Sequence, residues 1–118
     1  RWVDRLLASE EHTTHFSHVW RAIMLGYQTN QQVQFQIPQF ELWLKRRVER
    51  NTALDKMVYE LLTNQTGGGP GFNPGLGGMQ QGEGSPVVFF QANENKAENL
   101  AAATSRVFLG VKIECAQC

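Results

Sequence analysis

The chain has 118 residues, of which 42% are hydrophobic and 10% aromatic, enough for one small core and one domain. Lys plus Arg equals Asp plus Glu at 11 each, so the balance gives no charge-based case for nucleic acid, an anionic membrane or a strongly charged substrate. No apolar run approaches the roughly 20 residues that a bilayer crossing takes, so no membrane span is expected.

Trp2-Val3-Asp4-Arg5-Leu6-Leu7 reads as a short helix with Trp2, Val3, Leu6 and Leu7 as its apolar face. A helix already in progress behind Arg1 predicts that the native N-terminus is missing, together with any signal peptide. Ser9 suits an N-cap, because its hydroxyl accepts from the free amides of a new helix, and Glu10 and Glu11 favour the positive end of that helix dipole. The spacing predicts a helix from Glu10 to about Leu25, with Phe16, Val19, Trp20, Ile23 and Met24 inward and Gly26 as its stop. Residues 28 to 36 alternate Gln with Val or Phe, as a short strand or a polar connector does.

Pro38 suits a first helical position, so a helix is expected to begin at Ile37-Pro38, bury Phe40, Trp43, Leu44 and Val48, and carry a basic flank of Lys45, Arg46, Arg47 and Arg50. That flank has no interleaved exposed aromatics and reads as a solvated face. Thr52-Ala53-Leu54-Asp55 resembles a capping signal, and Leu54, Met57, Val58, Leu61 and Leu62 follow at helical spacing. Nine of the eleven glycines lie between Gly67 and Gly84 with Pro70 and Pro74, so residues 65–85 are expected to be a flexible Gly/Pro-rich insertion. It lacks the Gly-Lys-Ser/Thr ending of a phosphate cradle. Val87-Val88-Phe89-Phe90 suggests an extended segment. Asn93 or Asn95 is the expected cap of a last helix with Ala97, Leu100, Ala101, Thr104, Val107 and Phe108 inward, closing at Gly110. Val111-Lys112-Ile113-Glu114 then alternates like a strand or extended arm. The fold class expected is all-α, helices packed orthogonally or as a bundle, with a long Gly-rich loop and short extended segments.

Two elements bear chemistry. Cys115-Ala116-Gln117-Cys118 can hold a metal, cycle as a dithiol, or add to the two vinyl groups of haem when a histidine follows; two reduced or simply paired cysteines are the plain alternative. Zinc needs two more ligands from elsewhere, and a thioredoxin-like enzyme lacks the βαβ pattern expected around the pair. His12, His15 and His18 step around their helix at about 100° per residue, with His12 near the apolar stripe and His18 opposite, so they are not expected to share one ion. Solvated or capping roles suit them better, with His12 and His15 as a partial ligand pair the alternative. Met79, a soft ligand in principle, sits in the glycine-rich loop, where a mobile side chain makes a poor iron ligand. No Ser-His-Asp set, carboxylate pair or cofactor fingerprint points to a hydrolase or transferase.

The opening Val3-Asp4-Arg5-Leu6-Leu7-Ala8-Ser9 and the closing run from Ala103 to Cys118 resemble the planctomycete cytochrome-associated domain of unknown function. In that family a T-x-x-x-F-L-G-x-x-x-x-C-x-x-C-H stretch occurs in large secreted or surface proteins alongside cytochrome c-like modules. Here Thr104, Phe108, Leu109, Gly110, Cys115 and Cys118 occupy the matching positions. Phe40 to Leu44 and Leu54 to Leu62 sit where the family has paired helices, while the Glu10 to Leu25 segment keeps only Trp20, and the glycine-rich insertion is no hallmark of it. The resemblance implies covalent haem c on Cys115 and Cys118, an axial histidine beyond Cys118, an extracytoplasmic setting, and other domains of a larger protein as partners. It implies no reaction, since the family is functionally unassigned. The competing expectation is a non-catalytic helical interaction module in which the cysteines close a structural zinc site or are incidental.

Overall fold

Ser9 and Asn30 set the two longest helices of the computed structural model, which describes residues 1–63 and 84–114. The Ser9 hydroxyl accepts from the His12 amide at 3.2 Å, and the Asn30 side chain accepts from the Gln32 amide at 2.9 Å. Each cap satisfies one of the amides that a helix start leaves without a partner. After a short helix α1 (Trp2–Leu7), the caps launch α2 (Glu10–Leu25) and α3 (Gln31–Glu49), followed by α4 (Leu54–Thr63), α5 (Val88–Ala92) and α6 (Ala97–Thr104). A π-helical turn, Ser105–Leu109, extends α6 without a break. Among the described residues there is no strand, so the fold is all-α as expected.

Helices α2 and α3 form an antiparallel hairpin across the turn at Gly26, whose φ of 59° is of the left-handed kind that glycine adopts without strain. Lys45 Nζ lies 2.9 Å from Glu10 Oε1 and Arg21 Nε lies 2.7 Å from Glu41 Oε1, so ion pairs flank the seam. Ser17 is buried within α2, where its hydroxyl donates to the Thr14 carbonyl at 2.8 Å. The core gathers Met24 and Leu25 from α2, Val33, Phe40, Trp43 and Leu44 from α3, Met57 and Leu61 from α4, Val88 and Phe89 from α5, and Ala103 from α6. Phe40 and Trp43 stack with ring centroids 5.9 Å apart.

Several expectations change. Residues 31 to 36 are neither strand nor connector, and Pro38 lies inside α3 rather than at its start. An internal proline costs about 3 kcal/mol, chiefly through a lost hydrogen bond and a clash with the preceding turn. The Asn30 cap and the Val33, Ile37, Phe40, Leu44 stripe, which runs unbroken through the proline, offset it. Val87 to Phe90 is not extended: one helical turn buries Val88, Phe89 and Phe90 together, where a strand would send alternate residues outward.

Neither Asn93 nor Asn95 caps α6. The N-cap is Lys96 with no side-chain bond, while the Asn93 amide donates to the Phe89 carbonyl at 2.7 Å and so serves the end of α5. Asn95 takes φ 54°, a conformation that asparagine tolerates better than most residues. The inward face of α6 is also rotated, to Ala102 and Ala103 in place of Ala97 and Ala101, with Leu100, Val107 and Phe108 partly buried. A run of alanines gives periodicity little to distinguish, and the π turn resets the helical phase before Val107. In α2, Met24 is in the core and Trp20 packs against it as expected, while Phe16, Val19 and Ile23 are exposed and Ser17 and Leu25 are buried in their place.

Residues 64–83 lie outside the described residues, as do most of the expected 65–85 insertion and Met79. Gly84 and Ser85 sit against α3, where the Ser85 amide donates to the Gln39 carbonyl at 3.0 Å. A Cβ on Gly84, at φ 74°, would stand 2.3 Å from the Trp43 backbone nitrogen and 2.4 Å from the Gln39 carbonyl oxygen, so the contact requires glycine.

Candidate functional site

The chain leading to the cysteines is fastened to the end of α6. The Ser105 hydroxyl donates to the Val111 carbonyl at 2.9 Å, and the Val111 amide donates back to the Ser105 carbonyl at 3.2 Å. The Gly110 amide donates to the same carbonyl, and Gly110 itself is left-handed at φ 68°, which reverses the chain as glycine commonly does past a helix end. Arg106 Nη1 lies 2.5 Å from Glu114 Oε1, closing the far end of the turn. Its own backbone hydrogen bond, and then the Arg106 guanidinium, hold the Glu114 carboxyl below its ordinary pKa of 4.5.

Residues 111–113 form no strand; the arm is an irregular segment held by side chains and a helix terminus. An edge strand needs a partner, and among the described residues no other extended segment is there to pair with it. Cys115 and Cys118, which carry the attachment expectation, lie outside the described residues, and Glu114 is the last described residue before them. Sequence reasoning found the cysteines and Gly110 but missed the roles of Ser105, Arg106 and Glu114. The readable signal was an arginine and a glutamate on either side of a helix-stopping glycine. The π turn had no signal in the apolar spacing.

The histidines do not form a common centre. His12 is half-buried with its ring 4.8 Å from Phe16, and its Nδ1 has no hydrogen-bond partner among the described residues. His15 meets Phe16 edge-on at 5.8 Å, and His18 Nε2 lies 3.8 Å from Glu41 Oε2. Among the described residues no three of His, Cys, Asp or Glu come together as a metal site. The basic flank of α3 is engaged within the chain: Lys45 with Glu10, Arg46 with Glu49 at 3.0 Å, and Arg47 with Glu60 at 2.5 Å, while Arg50 also has a partner.

The family model PSCyt2, Protein of unknown function (DUF1549), matches residues 1–118 and so takes in the helical core, the π turn and the arm. The chain belongs to this family. No curated protein and no solved structure matches it. Membership spans every element described above, from α1 to Glu114, and assigns no activity to any of them.

Proposed function

We propose that this family member is part of an extracytoplasmic protein that carries haem c on Cys115 and Cys118 and serves electron transfer or a redox-linked role. The observation that carries the reading is Cys115-Ala116-Gln117-Cys118, two thiols at the spacing of the haem vinyl groups, at the end of an arm anchored by Ser105, Gly110 and Arg106. The donor chemistry fits: each thiol adds its S–H across one vinyl double bond, sulfur to one carbon and hydrogen to the other, with nothing lost. The described surroundings fit as well, since Leu109 to Ile113 are exposed and leave room for a broad planar group. Bound there, the haem supplies an iron that gains and loses one electron. The chain's part is to hold the porphyrin covalently and to set its exposure through the anchored arm.

The test is expression of the full gene in a host with cytochrome c maturation, followed by the pyridine haemochrome assay on washed, denatured protein. The expected result is covalent haem that is lost in Cys115→Ser and Cys118→Ser. A colourless product with two titratable thiols rejects the proposal. One zinc per chain instead favours the helical interaction module, a reading that the exposed apolar residues of α1 also suit.

A further inference from the structure

From Ala22 to Phe40 the chain carries no Asp, Glu, Lys, Arg or His, although 19% of the whole is charged. This stretch is the end of α2, the turn and the first half of α3, and it holds the two most exposed large apolar side chains among the described residues, Tyr27 at 92% and Phe35 at 90%. Phe35 lies on the side of α3 away from the core face of Val33, Ile37 and Phe40. Its neighbours one turn before and after are Gln31, Gln32, Pro38 and Gln39, all exposed, so an open aromatic ring is framed by amides and a proline with no charge among them. The turn is tied to this end of α3, because the Gln34 side-chain amide donates to the Gln28 carbonyl at 2.8 Å.

We propose that this face of α3 binds a neutral polysaccharide, with a sugar ring stacked on Phe35 and its hydroxyls hydrogen-bonded by Gln31 and Gln39. A pyranose with equatorial hydroxyls bares a face of C–H bonds, apolar and slightly positive, which suits the negative face of an aromatic ring. Around its rim each hydroxyl both donates and accepts, and a glutamine amide offers a donor and an acceptor in one side chain. Gln31 and Gln39 stand one turn to either side of Phe35, about 6 Å along the helix axis, so both amides border whatever covers the ring. Other occupants fit less well. Single-stranded nucleic acid also stacks on aromatics, but its affinity comes largely from cations on phosphates, and this stretch supplies no cation. A partner helix docks on apolar anchors repeated every three or four residues, whereas Phe35 has amides at those positions. The proposal is independent of the haem reading, since none of its residues belongs to the anchored arm.

The experiment is native affinity electrophoresis of the full-length protein in gels containing hydroxyethylcellulose, xyloglucan or galactomannan, with alginate as the charged counterpart. At least one neutral polymer is expected to retard the wild type, and alginate is not. Phe35→Ala should weaken the dissociation constant roughly fivefold or more, as loss of an aromatic platform implies, and Phe35→Trp should preserve it. Gln31→Ala/Gln39→Ala should weaken it about two- to tenfold, as loss of one or two hydrogen bonds implies. The control is Tyr59→Ala, which removes an aromatic that is 70% exposed on α4 but has Asp55 and Lys56 as its helical neighbours, and it should bind as the wild type does. Phe35 is almost wholly in water, so its removal should leave the thermal midpoint unchanged.

A wild type retarded by none of the three neutral polymers overturns the proposal, and so does equal retardation of wild type and Phe35→Ala. Equal weakening by Tyr59→Ala overturns it as well, since binding then follows exposed aromatics in general. A wild type held more strongly by alginate rejects the neutral ligand. A Phe35→Ala variant that loses self-association in size-exclusion chromatography, with its retardation intact, assigns the ring to a second copy of the chain instead.

Discussion

Helices α1 and α3 each carry a tryptophan among aliphatic residues, yet Trp2 is 75% exposed and Trp43 is 1% exposed. Apolar content alone does not separate them: α1 has Trp2, Val3, Leu6 and Leu7 within six residues, much as α3 has Phe40, Leu42, Trp43 and Leu44 within five. What separates them is neighbours. Helix α3 is packed by α2 and α5, with Met57 and Leu61 of α4 completing its surroundings, whereas α1 buries no residue at all. A hydrophobic stripe becomes a core only where another element covers it, and here the cover comes from residues as distant in sequence as Phe89.

The sharpest way to break this comparison is to truncate both tryptophans. Trp43→Ala removes a ring stacked on Phe40 and capped by the Arg47 guanidinium, 5.4 Å from its centroid, and should cost about 3–5 kcal/mol in urea unfolding. Trp2→Ala should stay within about 0.5 kcal/mol. Similar losses for the two would show that α1 is packed as α3 is.

A smaller effect probes how the cover reaches α3. Gly84→Ala places a methyl group against the backbone of Trp43 and Gln39 at a left-handed φ, and should destabilise by more than about 2 kcal/mol. Gly26→Ala has the same sign of φ but nothing within 4 Å of the added carbon, so it isolates the conformational part, about 1–2 kcal/mol. Equal losses at the two glycines would mean that the Gly84 contact on α3 yields freely.

These positions also mark what could be read from the sequence. The caps at Ser9 and the stop at Gly26 and Gly110 were legible because each is a local backbone requirement met by one residue type. The Met57 and Leu61 face of α4 was legible because an unbroken 3.6-residue period leaves one orientation. Pro38 misled because a rule for helix starts was applied where a long stripe on both sides of the proline prevails. The inward face of α2 was misjudged only in part: Met24 is buried as expected, but Phe16, Val19 and Ile23 outweigh Ser17 in hydrophobicity and are exposed, while that small residue is buried. The candidate site divides in the same way. Cys115 and Cys118 announce themselves by spacing, while the clamp of Ser105, Arg106 and Glu114 depends on a π turn and a chain reversal that bring together residues up to eight apart.

The mildest test bears on that clamp and compares it with the α2–α3 seam. Both Glu114, through its backbone hydrogen bond and Arg106, and Glu10, through its hydrogen bond and attraction to Lys45, have carboxyl pKa values below the ordinary 4.5. For a lowered carboxylate the stabilisation is fully present above 4.5, the value expected of the unfolded chain, and is lost as the pH falls through the lower folded value. Acid should therefore loosen both contacts below pH 4.5 and leave them unchanged from there to neutrality. Both pairs are open to solvent, so added salt should weaken each. The consequences differ, because the seam also rests on Met24, Leu25 and Val33 of the core, whereas the arm beyond Gly110 has little besides its hydrogen bonds. Acidification should thus lower the protection of the Val111 amide, corrected for the intrinsic pH dependence of exchange, before it affects the middle of α2, and Arg106→Gln should produce the same loss of protection at neutral pH. An arm as protected at pH 3 as at pH 7 would mean that the Arg106–Glu114 pair does not hold it.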